Sequence, residues 1–143
     1  MNRFINYTEL DVWKEARKLA NQIYSITKKF PSEETQGLTL MMRRIAVSIP
    51  SSISEATGYH HPEDTLGILF QGRAALYEVE TMCYLALDQL YINDDDCNAL
   101  VEQITVCKRL INGFINYYRK SRQSHQDRRN HPQQEENHDE NPA

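Results

Sequence analysis

The part of the chain that decides its fold is residues 62–91, PEDTLGILFQGRAALYEVETMCYLALDQLY. Apolar side chains recur in it at three- and four-residue steps, which is the period of an α-helix. Pro62 followed by Glu63 and Asp64 is a favourable first turn, because proline's missing N–H is not needed there and acids suit the positive end of the helix dipole. We therefore predict one long helix, with a core row of Ile68, Gly72, Ala75, Val79, Cys83, Ala86 and Leu90.

The same helix carries a second apolar row, which we call the aromatic stripe: Phe70, Tyr77, Tyr84 and Tyr91, spaced seven residues apart and flanked by Leu66, Leu69 and Leu87. The two rows together cover about 220° of the helix, whereas a surface helix usually buries an arc nearer 100°. Either this helix lies centrally in a thick core, or part of the stripe lies between subunits. We favour the second interpretation. The interface candidates are Phe70, Arg73, Tyr77, Glu80, Tyr84 and Tyr91.

Two further amphipathic helices precede this segment. The first is expected to start at Thr8 as N-cap and to end before Pro31, since the residue before a proline is pushed out of helical geometry. The second is expected to run from a Thr39 cap to about Gly58. Pro50 lies inside it, and an interior proline costs about 3 kcal/mol, so we predict a kink there.

A fourth helix is expected to open at Asn93 with Asp94–Asp96, and its core row is Leu100, Ile104, Cys107, Ile111, Phe114 and Tyr118. From Arg119 onward the sequence is almost entirely polar, and such a segment cannot bury enough apolar surface to offset its ordering entropy. We thus predict an all-α, up-and-down antiparallel four-helix bundle over residues 1–118, followed by a disordered polar tail over residues 119–143. No stretch has the pattern of a strand.

Composition fits a single globular domain. The chain has 143 residues with 16 Lys/Arg and 20 Asp/Glu, a net charge of -4 that argues mildly against a dedicated nucleic-acid binder. Cys83, Cys97 and Cys107 lack zinc-ligand spacing, and two of them fall on core rows, which indicates buried free thiols in a reducing compartment. With no apolar stretch typical of a signal peptide or a membrane span, we expect a cytoplasmic protein.

The sequence offers no catalytic or metal-binding constellation, and we expect neither an enzyme nor a cofactor. A di-iron bundle needs Glu-x-x-His pairs on facing helices. No histidine stands three residues after any glutamate of the second, third or fourth predicted helix: Glu55, Glu63, Glu78, Glu80 and Glu102. The histidines fall in a predicted loop or in the predicted tail: His60, His61, His125, His131 and His138. The serines of residues 48–54 lack a histidine at helical spacing.

A polar row lies on the second helix. Arg44, Ser48, Ser51 and Glu55 share one face, which we expect beside the core row. The simpler interpretation is a salt-bridged seam that orients a neighbouring helix or subunit. The alternatives are a ligand or partner pocket near Pro50, or, as a third choice for function, a small-ligand or enzyme site at the Arg44 and Glu55 face.

Basic residues give the candidates for nucleic-acid contact, although a helix dotted with lysine and arginine is usually a solvated face. The principal candidates are Lys14, Arg17, Lys18, Arg43, Arg119, Lys120 and Arg122. Assembly of several copies would multiply even a modest patch, because affinity for nucleic acid grows with the number of phosphates contacted. The acidic residues 135–140 follow closely and compete for the same arginines.

Several of these segments resemble a known family, the bacterial four-helix-bundle proteins first noticed in intervening sequences of large-subunit ribosomal RNA genes. Residues 9–16, ELDVWKEA, are similar to its L-x-V-W-x-x-A opening. Residues 37–39 (GLT) and 43–51 (RRIAVSIPS) resemble its G-L-T and R-R-A-x-V-S-I-P-S signature, and residues 78–81 (EVET) resemble its E-L-E-T. The departures are Ser52, Ser54 and Ala56 in place of Asn, Ala and Gly, and Ala74–Ala75 in place of Gly-Ser.

The resemblance spans about residues 4 to 118 and implies a four-helix protomer assembled as a ring of five, without enzymatic activity. It also implies kinship with the accessory protein of diversity-generating retroelements, which binds reverse transcriptase and RNA through basic surfaces. The expected function is thus a homo-oligomeric scaffold or adaptor, pentameric as the resemblance implies, with an RNA-associated accessory protein as the alternative. The expected partners are copies of itself and an RNA or protein, with no membrane and no metal.

Overall fold

The computed structural model describes residues 5–131, which contain four α-helices and no strand. The helices are α1 (Asp11–Thr27), α2 (Leu38–Ala56), α3 (Pro62–Asp88) and α4 (Asp94–Asn130). Short 3₁₀ helices at Tyr7–Glu9 and Ser32–Glu34 precede α1 and α2. Each helix packs against the next in sequence and α4 closes back on α1, so the four helices form an up-and-down bundle as predicted.

The core is filled by aliphatic side chains from all four helices. Its largest fully buried members include Leu19 and Ile23 of α1, Met42 of α2, Leu76 of α3 and Ile111 of α4. At Gly72 the packing is closest, because a Cβ there would lie 3.2 Å from Cβ of Ser52 and 3.3 Å from Cδ1 of Ile111.

Both predicted threonine caps are wrong. Thr8 lies inside the first 3₁₀ helix and donates from its hydroxyl to Asn6 Oδ1 at 2.7 Å, and α1 begins three residues later after Leu10. The cap of α2 comes from the preceding connection: Glu34 Oε2 accepts from the backbone N–H of Leu38 at 2.7 Å. A carboxylate suits that position because it also faces the positive end of the helix dipole.

The start of α3 at Pro62 and the start of α4 after Asn93 agree with the sequence prediction. Asn93 and Asp96 form a reciprocal capping box, in which the Asn93 side chain accepts from the Asp96 N–H at 2.8 Å. The helix α2 continues through Pro50 from Leu38 to Ala56, and the bend expected at the proline stays a prediction. Around it, Ser51 donates to the Val47 carbonyl and Ser52 to the Ser48 carbonyl, bonds that favour helix bending.

The predicted disorder of the tail is wrong for residues 119–130, which continue α4 as helix to Asn130. We call these residues the α4 extension. A helix that is already nucleated adds each further residue at little cost, and Arg, Lys and Gln are good helix formers. Arg128 and Arg129 in the last turn also interact favourably with the helix dipole. Residues 132–143 of the predicted tail lie outside the described residues.

Leu90 was placed on the core row of α3, and this is also wrong. It is 87% exposed and has a left-handed backbone with φ of 61°. The helix ends just before it in a Schellman arrangement, with the Tyr91 N–H donating to Ala86 O at 3.0 Å and the Leu90 N–H to Leu87 O at 2.9 Å. Leu90 occupies the position where glycine is usual, so its side chain leaves the core face.

Candidate interaction surfaces

The members of the aromatic stripe differ in exposure. Tyr77 is 55% exposed and Tyr84 is 46% exposed, while Phe70 and Tyr91 are half-buried. Leu85, the next residue around the helix, is 48% exposed. A single protomer therefore shelters part of the stripe and leaves Tyr77, Tyr84 and Leu85 in contact with solvent. We call these three residues the exposed patch of α3.

Cations of the same chain contact the rings of Tyr77 and Phe70. Lys108 of α4 places its Nζ 4.0 Å from the centre of the Tyr77 ring and 2.7 Å from Glu80 Oε2. This is the one ion pair among residues 5–131, and both side chains are largely buried. A cation over an aromatic face gains about 0.5–2 kcal/mol, depending on desolvation. The pair therefore fixes the register of α3 against α4.

Phe70 lies between two guanidinium groups. The Arg73 Cζ is 5.1 Å from the ring centre and the Arg119 Cζ is 5.4 Å from it. Arg73 also donates from Nη1 to Asn112 Oδ1 at 3.2 Å. Arg73 and Glu80, both candidates for an interface, thus have partners within the protomer.

Tyr91 contacts the connection between α1 and α2. Its ring centre is 5.3 Å from that of Phe30, and its hydroxyl donates to Glu34 Oε1 at 3.2 Å. Desolvation, and then the bond to Glu34, raise the pKa of the Tyr91 phenol. The seven-residue spacing does not place Tyr91 on the same helix face as Tyr84, because α3 ends at Asp88 and Tyr91 lies in the turn after it.

The polar row of α2 points mainly to solvent. Arg44, Ser51 and Glu55 are exposed and Ser48 is half-buried. Glu55 Oε1 accepts from the Tyr59 hydroxyl at 3.2 Å, and Ser48 donates to its own helix at Ile45 O. Within residues 5–131 neither Arg44 nor Glu55 forms an ion pair with a neighbouring helix, and a seam to another subunit stays a prediction.

Some of the basic candidates have a partner within the chain, and we call these occupied, whereas others are exposed to solvent. Arg43 is occupied, because its Nε donates to Thr27 Oγ1 at 2.9 Å and its Cζ lies 4.8 Å from the centre of the Tyr24 ring. Arg17 lies over the Trp13 ring at 5.4 Å but is exposed. The other candidates on α1 and on the α4 extension are exposed, apart from the half-buried Arg122: Lys14, Lys18, Arg119 and Lys120.

One concave site was not predicted from the sequence. A cleft of about 610 Å³ opens between the N-terminal 3₁₀ helix, the α2–α3 connection and the middle of α4, and we call it the tyrosine cleft. Four of its lining residues are Tyr7, Tyr59, Tyr117 and Tyr118. These tyrosines come from three segments that are far apart in the sequence, and only the folded bundle brings them together. The site therefore has no local sequence motif from which it could be predicted.

The described part of the chain shows neither a cluster of metal ligands nor a reactive thiol. Residues 5–131 contain no group of three His, Cys, Asp or Glu side chains arranged to hold a metal ion. The three cysteines are free and buried. Burial raises the pKa of the Cys83 and Cys107 thiols to about 12, which keeps both in the unreactive protonated form. No helix within residues 5–131 is long and apolar enough to cross a membrane.

Comparison with known sequences identifies the family. No curated protein is significantly similar to the chain. The profile of the family described as 23S rRNA-intervening sequence protein matches residues 8–113, which span α1, α2, α3 and the first half of α4. The matched region contains the segments with the L-x-V-W and V-S-I-P-S patterns, and it covers more than half of the chain. The chain therefore belongs to the family of 23S rRNA-intervening sequence proteins.

Proposed function

We propose that this protein is a non-enzymatic scaffold or adaptor that assembles with copies of itself into a ring, five-fold as the family resemblance implies. The observation that carries the proposal is the exposed patch of α3. Tyr77, Tyr84 and Leu85 expose about half of their side chains on adjoining faces of one helix. Grouped aromatic surface of this kind marks an interaction site, since tyrosine combines a large apolar ring with a hydroxyl suited to a wet rim.

The neighbouring ion pair supports the same use of this face. Lys108 and Glu80 join α4 to α3 beside Tyr77, so the Tyr77 ring has a fixed neighbour before any partner arrives. Rigid presentation lowers the entropy lost on association. A ring requires a head-to-tail contact, in which this patch meets a different surface of the next protomer.

A cytoplasmic location belongs to the same proposal. The three cysteines are buried and unpaired, which suits a compartment that keeps thiols reduced. The family description names no catalytic activity, which is compatible with a scaffold role.

The test is the size of the particle in solution. We expect multi-angle light scattering of the purified full chain to give several times the protomer mass of 16.7 kDa. Tyr84→Asp and Tyr77→Asp place a charge in the contact and should give smaller particles. Tyr24→Asp is the matched control: Tyr24 is similarly exposed on α1, and the new carboxylate would lie beside Arg43. A monomeric wild type, or variants that assemble as the wild type does, would contradict the proposal.

The second candidate is an RNA-associated accessory protein, and the α4 extension favours it. Residues 119–130 form an almost wholly exposed helix that carries five cations against one acid, Asp127: Arg119, Lys120, Arg122, Arg128 and Arg129. In an oligomer this helix would be repeated on every protomer. Each phosphate contact that is lost lowers the slope of log affinity against log salt by about 0.7 for a single strand.

The test for this candidate is RNA binding at several salt concentrations. We expect a triple Lys120→Gln, Arg128→Gln, Arg129→Gln variant to bind single-stranded RNA more weakly and with a smaller salt slope than the wild type. A triple Lys28→Gln, Lys29→Gln, Arg109→Gln variant removes three exposed cations outside the principal candidates and is the control for equal loss of charge. The absence of wild-type binding at low salt would retire this candidate and leave the scaffold proposal untouched.

A further inference from the structure

The tyrosine cleft has the size and wall chemistry of a small-molecule site. Its volume of about 610 Å³ lies within the roughly 300–1,000 Å³ usual for ligand pockets. Tyr7, Tyr59 and Tyr117 each leave more than a third of their surface exposed, so their rings are available to a ligand. The ring of Tyr7 rests edge-on against Trp13 at 5.4 Å and that of Tyr117 against Tyr118 at 5.2 Å. Both exposed rings are thus held by a second aromatic side chain.

Most of the polar side chains that line this cleft carry hydroxyls, and the others are Asn6 and His60. Thr57 donates to the Ser54 carbonyl at 2.7 Å, which leaves its oxygen lone pairs free to accept from a ligand. Thr65 is buried and donates to the Ala56 carbonyl at 3.0 Å. Tyr59 donates to Glu55 at 3.2 Å, and its own oxygen can accept in turn. These walls suit a flat aromatic group that carries N–H donors, such as a nucleobase with an exocyclic amine. A purely aliphatic ligand would cover the exposed acceptor oxygens without offering them a donor.

A second cavity adjoins the first and has a different chemistry. It encloses about 440 Å³ and is lined by the imidazoles of His60, His61 and His125 and by the guanidinium of Arg128. Both cavities share His60, Pro62 and Ser121 as walls, so they are two compartments of one cleft. Arginine and histidine side chains are donors that match phosphate oxygens.

We propose that the tyrosine cleft and its histidine-lined neighbour form a binding site for a mononucleotide, with the base among the tyrosines and the phosphate at Arg128 and the histidines. The juxtaposition of ring surface and phosphate donors selects this class of ligand. A sugar phosphate would leave the rings unused, and an uncharged aromatic compound would leave Arg128 unused. A free nucleotide and the terminal nucleotide of a strand present the same chemistry. The inference is independent of the assembly proposal. It shares Arg128 with the RNA-accessory candidate, but Tyr117 belongs to the cleft alone.

The experiment is calorimetric titration of the full chain with AMP, with adenosine and inorganic phosphate as the two halves of the ligand. We expect saturable AMP binding that is at least about tenfold tighter than binding of either half. Tyr117→Ala and Arg128→Gln should each weaken AMP binding about tenfold. Tyr24→Ala and Arg109→Gln, which remove a tyrosine and an exposed arginine outside the cleft, should leave the Kd unchanged.

Three results would overturn the proposal: no saturation up to about 5 mM AMP, adenosine binding as tightly as AMP, or equal losses in the cleft and control variants. A final arm separates the two sources of the ligand. A short oligonucleotide with a terminal phosphate that competes with AMP, while its unphosphorylated form does not, assigns the site to strand ends. Competition by neither oligonucleotide assigns it to free nucleotides. Particle size, measured in parallel, reports on the assembly proposal separately.

Discussion

Leu90 carries the clearest local conflict between side chain and backbone. Its φ of 61° is a left-handed conformation, which costs a residue with a Cβ about 1–2 kcal/mol. The side chain recovers nothing by burial in the protomer, because 87% of it is exposed. Glycine would remove the strain but would also add freedom to the unfolded chain.

We therefore expect Leu90→Gly to raise the free energy of unfolding by about 0.5–1 kcal/mol, measured by urea denaturation. Leu90→Ala is the control, since alanine keeps the Cβ and hence the strain, and its effect should be close to zero. A loss of stability in Leu90→Gly would mean that the leucine side chain makes stabilising contacts, as it would inside an assembled ring.

The buried thiols give the protein a defined sensitivity to alkali. Desolvation raises the pKa of Cys83 and Cys107 from 9.0 to about 12. Below pH 9 the folded and unfolded chains both hold these protons. Between pH 9 and 12 the unfolded chain releases protons that the folded chain keeps, so stability falls as pH rises, by about 1.4 kcal/mol per pH unit for each thiol.

The check is the pH dependence of unfolding free energy between pH 9.5 and 11. We expect Cys107→Ala to reduce the slope by about 1.4 kcal/mol per pH unit. Ile111→Val is the control: it removes buried volume in the same core at a cost of about 1 kcal/mol and should leave the slope unchanged. An unaltered slope in Cys107→Ala would show that this thiol ionises equally in both states.

At the scale of one helix, α3 offers two glycines with opposite surroundings. A Cβ on Gly67 would meet no atom within 4 Å, so Gly67→Ala gains helix propensity without a clash. We expect that variant to be more stable by about 0.5–1 kcal/mol. Gly72→Ala should gain less or lose stability, because its Cβ would press on Ser52 and Ile111. The free energies of unfolding are measured by thermal and urea denaturation. Equal increases for the two variants would show that Ser52 and Ile111 move away from a Cβ at Gly72 at little cost.

The existence of all four helices follows from the sequence, because apolar periodicity and local turn residues report directly on helices. The opening of α4 was predictable, since Asn93 and the aspartates after it form a cap from neighbouring residues. The cap of α2 was not, because Glu34 reaches Leu38 only after the connection folds into a 3₁₀ turn. The α4 extension was not predicted, because the sequence analysis took the lack of apolar residues after Arg119 to mean disorder. A helix that has already formed can continue without burying apolar surface.

The candidate surfaces were predictable only in part, because helical spacing gives the face on which a residue lies but not its partners on other helices. Helical spacing placed Tyr77 and Tyr84 on one face, and both are exposed there. The same spacing failed for Tyr91, which lies beyond the end of α3. The intrachain partners of Arg73 and Glu80 lie on α4, 39 and 28 residues away in sequence, and only the register between helices reveals them.

At the scale of the whole molecule, the order of the helices leaves one side of α3 without a neighbour. The helix packs against α2 on one side and α4 on the other, and α1 lies across the bundle. Its apolar arc is wider than two neighbours cover, and the excess is the exposed patch of Tyr77, Tyr84 and Leu85. A ring of protomers would supply the missing neighbour once per copy.

Assembly of this kind couples stability to concentration. If only assembled protomers are fully stabilised, a hundredfold rise in protein concentration adds up to about 2.7 kcal/mol per protomer, because association is favoured by mass action. For a chain of this size that corresponds to a rise in Tm of about 5–10 °C. We expect calorimetric scans at about 2 and 200 µM to show this shift in the wild type and in Tyr24→Asp, and to show none in Tyr84→Asp. A wild-type Tm that is the same at both concentrations would mean that self-association through the exposed patch of α3 does not stabilise the protein. The patch would then be a binding surface for a different protein.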